Sequence, residues 1–81
     1  MFPLEALILA ELARLKGIAR DKELFENVRK LVSSFNEEVS VTQFKKALMT
    51  LEIRGYIRVE SVKRDTRMVY LVRDLNKQEP G

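Results

Sequence analysis

Ser40-Val41-Thr42-Gln43 is the strongest constraint in this chain. It fits the S-x-x-Q capping box, in which the serine hydroxyl and the glutamine amide each satisfy a backbone N–H left over at a helix start. Val39 and Phe44 stand at the two positions of a hydrophobic staple around the same start. Two independent local devices therefore agree on where a helix begins. That helix is expected to run to Arg54 and to stop at Gly55, a residue able to take the left-handed cap. Phe44, Ala47, Leu48 and Leu51 form its apolar stripe. Thr42, Lys45, Lys46, Met49, Thr50 and Ile53 lie outward, with Gln43 and Arg54 on one flank.

Beyond Gly55 the hydrophobic period changes. Tyr56 to Val62 is rich in β-formers and alternates at Ile57 and Val59, and Arg67 to Arg73 is again strand-like. Lys63-Arg64-Asp65-Thr66 has the length of a hairpin connection. Ile57, Val59, Val69 and Leu71 are expected to face the helices, and Arg58 and Glu60 to face water.

Two more helices precede this unit. The first is expected from near Pro3 to about Lys16, stopping on a left-handed Gly17. Leu4, Leu7, Ile8, Leu12 and Leu15 make its stripe, while Leu9, off that stripe, and Ala6, Ala10 and Ala13 make a second, smaller face. In so short a chain that second face, through Ala6, Leu9 and Ala13, is a candidate contact with another protein or a second copy. The next helix is expected to start after an N-cap at Asp21 and to fray around Ser33-Ser34. Leu24, Phe25, Val28, Leu31, Val32 and Phe35 form its apolar side, and Asn36 is the expected turn residue. Asp74 to Gly81 has no apolar periodicity and reads as a flexible tail behind a single domain over residues 1–73.

Composition narrows function. With 81 residues the chain has one modest core, and its 46% hydrophobic content is that of a folded protein. It has no Cys and no His, so disulfides, thiolate metal sites, cysteine nucleophiles and the commonest general base are excluded. No catalytic constellation is visible among the carboxylates, which alternate with basic residues as solvated helix faces do. No enzyme activity, cofactor or metal is expected. The apolar start is interrupted by Glu5 and Glu11, which argues against a signal peptide and against membrane insertion, and a cytoplasmic location is expected. A charged fraction of 33%, mostly Lys, Arg and Glu, points toward a thermophilic source. The net charge of +3 is uneven: residues 1–39 carry six basic and seven acidic side chains, residues 40–81 nine and five. The positive excess thus lies wholly in the half that begins with the capping box, the footprint of an anionic partner.

Three helices followed by a hairpin, an α+β arrangement that is mainly α, resembles the winged helix-turn-helix family. The matching residues are Leu48-x-x-Leu51-Glu52-x-x-Gly55-Tyr56-Ile57 with the basic hairpin behind them, and the resemblance covers residues 4 to 72. It implies a small DNA-binding protein, a transcription regulator or chromatin-associated factor located on the nucleoid. Helix 41–54 would lie in the major groove of double-stranded DNA, and wing 63–67 on the backbone. Thr42, Gln43, Lys45, Lys46, Met49 and Thr50 would face base edges and phosphates, Lys63, Arg64 and Arg67 the flanking backbone or minor groove, with Arg54 and Arg58 between. A homodimer would set two such helices on successive major grooves. Met49 and Ile53 also define an alternative, because apolar residues on an outward helix face mark protein contacts. On that alternative the domain is an accessory subunit of a larger nucleic-acid-processing or membrane-remodelling assembly.

Overall fold

The structure, a computed structural model, describes residues 3–72. The tail expected at 74–81 lies outside them. The elements in order are α1 (Leu4–Arg14), β1 (Ile18–Arg20), α2 (Asp21–Ser33), α3 (Val41–Ile53), β2 (Ile57–Lys63) and β3 (Thr66–Leu71). All three strands are antiparallel in the order β1-β3-β2, so β3 is central although last in the chain. This is an α+β fold with a winged-helix-like layout.

Each helix ends in the same way. The N–H of Gly17 donates to the Leu12 carbonyl at 2.8 Å and that of Lys16 to Ala13 at 3.0 Å. Glu37 and Asn36 repeat the pair on Val32 and Ser33, and Tyr56 and Gly55 on Leu51 and Glu52. These are Schellman motifs, in which one residue must turn left-handed to bring two late amides back onto the last carbonyls. Gly55 does so at φ 82° and Asn36 at 61°, as their sequence positions predict. At the end of α1 the turning residue is Lys16, φ 68°, and not Gly17. Gly17 is instead the next residue, at φ 87°, where the chain swings into β1 and its carbonyl accepts the Leu71 N–H at 2.8 Å.

The strand β1 is not anticipated by the sequence pattern, because three residues are too few to show a period. Its effects reach further than its length. Ala19 pairs with Val69, which pairs with Val59 on the other side, giving one inward row across the sheet. It also carries extended backbone through Arg20, which becomes the N-cap of α2 with no side-chain cap bond. Asp21 is therefore the first helical residue rather than the cap, and its carboxylate accepts the Lys22 N–H at 2.8 Å.

The core lies where the three helices meet the inward face of the sheet. Ile8, Leu12, Leu24, Val28, Val32, Leu51 and Val69 are fully enclosed, and Leu9, Ala19, Val39, Phe44, Ala47, Leu48 and Ile57 complete the cluster. The α3 stripe is buried throughout, and Val59 and Leu71 pack against the cluster from the sheet. Phe25 meets Phe44 edge to face, with ring centroids 5.1 Å apart at 68°. Two expectations for α2 do not hold. Leu31 and Phe35 are exposed, Phe35 by 63%. The buried row is Leu24, Val28, Val32 at i, i+4, i+8; Leu31 falls beside it, and Phe35 lies past Ser33 in the turn that leaves the helix. Leu9 corrects the expectation for α1: it is only 7% exposed and belongs to the core, so it is not a docking residue. Ala6 and Ala13 remain exposed.

Candidate nucleic-acid interface

The capping box forms as predicted. Ser40 Oγ accepts the Gln43 N–H at 3.1 Å, and Gln43 Oε1 accepts the Ser40 N–H at 2.9 Å. Val39 and Phe44 are both buried, as the staple requires. With its start fixed and Phe44, Ala47, Leu48 and Leu51 turned inward, close packing holds α3 in one orientation about its axis. Its outward side is thereby set: Thr42, Lys45, Lys46, Met49 and Ile53 are exposed and Thr50 half-buried.

The hairpin is longer than the sheet that supports it. β1 pairs with Met68, Val69 and Tyr70 of β3 and leaves Thr66 and Arg67 without a third strand. Beyond it, Lys63 pairs with Thr66 and the turn is Arg64-Asp65 alone, shorter than the four-residue connection expected. Neither turn residue takes a positive φ, so this is not the type I′ turn that best matches strand twist. An irregularity between Ser61 and Lys63 leaves Val62 as an extra residue on β2. Such bulges add local right-handed twist. Lys63, Arg64 and Arg67 are all exposed at this projecting tip.

Between the tip, α3 and the start of α2 lies a cleft of about 690 Å³. Lys45 and Met49 of α3 share it with Arg64 and Arg67 of the tip, over a floor that includes Phe25, Phe44, Leu48 and Val59. Lys45, Arg64 and Arg67 make no ion pair among the described residues. Four carboxylates, Asp21, Glu26, Glu52 and Asp65, line the cleft beside its four cations, Lys22, Lys45, Arg64 and Arg67, and the first three are engaged in hydrogen bonds. Glu26 is held by Arg29, whose side-chain hydrogen bond keeps its pKa below the usual value. Glu52 accepts the Val59 N–H at 3.3 Å, and Asp21 accepts the Lys22 N–H.

Other expected site residues are elsewhere. Arg54 lies 3.5 Å from Glu5 of α1. Arg58 is 2.8 Å from Glu60, with its guanidinium 5.0 Å from the centre of the Tyr70 ring. Thr50 Oγ1 donates to the Lys46 carbonyl at 3.0 Å, a bond within its own helix. Thr42, Lys46 and Lys63 are exposed but do not line the cleft. Two residues not anticipated belong to the surface. Lys22 reaches the cleft because β1 anchors the start of α2 beside β3. Val41 is exposed and lines the cleft as well, in row with Lys45, Met49 and Ile53 at i, i+4, i+8 and i+12. The last two are open to solvent by 61% and 79%.

Among the described residues no cluster of His, Cys, Asp or Glu is arranged to hold a metal ion. Among them, too, no helix is long and apolar enough to cross a membrane. Comparison with protein-family models, curated proteins and solved structures found no match to this chain.

Proposed function

We propose that this protein binds double-stranded DNA, with α3 in the major groove and the β2–β3 tip on the flanking backbone as a wing. The observation that carries this reading is the cleft where Lys45 from the helix and Arg64 and Arg67 from the hairpin converge without carboxylate partners among the described residues. A phosphodiester strand running between helix and wing would meet Lys45 on one side and Arg64 and Arg67 on the other, with Glu52 and Asp65 beside them. The charge distribution agrees: residues 40–72 carry seven basic and three acidic side chains. Such contacts supply affinity that falls steeply with salt. A transcription regulator or a chromatin-associated factor on the nucleoid fits this reading, and Ala6 and Ala13 on the exposed side of α1 are the candidate contacts of a homodimer. The test is a titration with a labelled duplex at rising salt. Binding at low salt should weaken when Lys63, Arg64 and Arg67 become alanine; absent binding, or no weakening, overturns the reading.

A second reading is favoured by one observation, the exposure of Met49 and Ile53 beside Val41 on the same outward row. On it, α3 seats a protein partner, and the domain serves as an accessory subunit of a nucleic-acid-processing or membrane-remodelling assembly. Substituting Met49 and Ile53 together by serine separates the two. Loss of a co-purifying subunit with DNA affinity intact supports the protein partner, and loss of DNA affinity alone supports the groove.

A further inference from the structure

We infer that the α3 and wing surface binds duplex DNA without regard to base sequence, in the manner of a coating or architectural protein rather than an operator reader. This rests on the DNA-binding reading above and names the substrate class for it. Phosphate contacts need only charge, whereas base choice needs donors and acceptors held in fixed geometry toward base edges. On this face the fold has already used most such groups.

Gln43 is the one amide on α3, and adenine recognition by Gln uses both its oxygen and its nitrogen. Its oxygen is committed to the Ser40 N–H at 2.9 Å. The Thr50 hydroxyl is committed to the Lys46 carbonyl at 3.0 Å. Guanine is read best by the planar fork of arginine. The two arginines that flank α3 are turned to other partners: Arg54 to Glu5, and Arg58 to Glu60 and the face of Tyr70. Thr42, Lys45 and Lys46 remain, together with the apolar Val41, Met49 and Ile53. A lysine ammonium is a point charge on a flexible stem and serves a phosphate as readily as a base. Apolar side chains touch bases without fixing hydrogen-bond identity, apart from contact with a thymine methyl. Arg64 and Arg67, which make no ion pair among the described residues, are on the wing, where the minor groove offers only a degenerate pattern.

The test is a competition titration of unrelated duplexes of equal length, together with selection from a random-sequence pool. Affinities should agree within about tenfold, where an operator reader separates sites by about a thousandfold or more. The pool should yield no consensus. The slope of log affinity against log salt should be about −4.5 for five contributing cations. Replacing Lys45 and Lys46 by alanine should weaken every duplex by the same factor and flatten that slope. Gln43→Ala, checked for folding by its melting curve, should leave relative affinities unchanged. A pool that converges on a motif, or a preference that Gln43→Ala abolishes at one base pair, overturns sequence indifference while leaving DNA binding intact. No binding to any duplex at low salt overturns both.

Discussion

Asn27 on α2 donates its side-chain amide to the Glu11 carboxylate on α1 at 2.9 Å. Glu11 is 5% exposed, the one buried charged side chain among the described residues, and it also accepts from both Nε and Nη2 of Arg14 one turn away. A buried carboxylate is costly unless its oxygens are bonded, and these three donors offset the cost. The result is a polar clasp between two helices. The Arg14 hydrogen bond, aided by Asn27 and opposed by burial, holds the Glu11 pKa below the usual carboxylate value.

Replacing Glu11 by alanine should destabilise the fold by about 2 kcal/mol, since it strands the Asn27 amide and removes a charge-assisted bond. The contribution has a defined pH dependence. Because the folded pKa lies below the ordinary 4.5, it is fully present above that value and is lost as pH falls through the folded pKa. Urea midpoints of wild type and Glu11→Gln should therefore differ at pH 7 and converge at low pH. A constant difference across that range would rule the linkage out.

Lys16→Gly should raise stability by about 1 kcal/mol, because a left-handed backbone is strained for a residue with a Cβ and free for glycine. Asn36→Gly should gain less, as asparagine tolerates that conformation. Gly55→Ala should lose about 1 kcal/mol through backbone strain alone, since a Cβ at Gly55 meets nothing within 4 Å. Thermal melts of the three variants read the series directly.

The capping box should behave as one unit. Ser40→Ala is expected to cost about 1 kcal/mol. Gln43→Ala should cost less, and the double variant should cost less than the two together, because each single change already breaks the reciprocal arrangement. Strict additivity in denaturant titrations would show two separate bonds instead.

Phe25 and Phe44 join α2 to α3 at the floor of the cleft. A double-mutant cycle to leucine should return a coupling of about 1 kcal/mol, as expected for an edge-to-face pair beyond its area burial. A coupling near zero would mean that the rings contribute by burial alone.

The parts of the fold legible in the sequence are those with dense local signals. The box at Ser40 and Gln43, the stop at Gly55 and the alternation through Ile57 and Val59 each bind neighbouring residues, so neighbours suffice to read them. Leu31 and Phe35 depart from expectation because helical period alone cannot say how wide a face is covered; that depends on what lies opposite. The candidate site divides in the same way. That Lys45, Lys46, Lys63, Arg64 and Arg67 are exposed accords with period and turn chemistry. That Arg54 and Arg58 are taken by Glu5 and Glu60 does not, because Glu5 is distant in the chain and the Arg58 arrangement depends on the pairing of β2 with β3.

The sequence by itself determined three helices, a hairpin, the inward faces of α3 and both hairpin strands, and a positive excess confined to the second half. It could do so because caps, left-handed stops and side-chain period act within a few residues. Only the tertiary structure decided that Ile18–Arg20 forms a strand, that β3 is central, and that Leu9 is core. It alone joined Lys45 to Arg64 and Arg67 across one cleft. Those outcomes depend on pairing and burial between residues far apart in the chain, and closing such distances takes the whole fold.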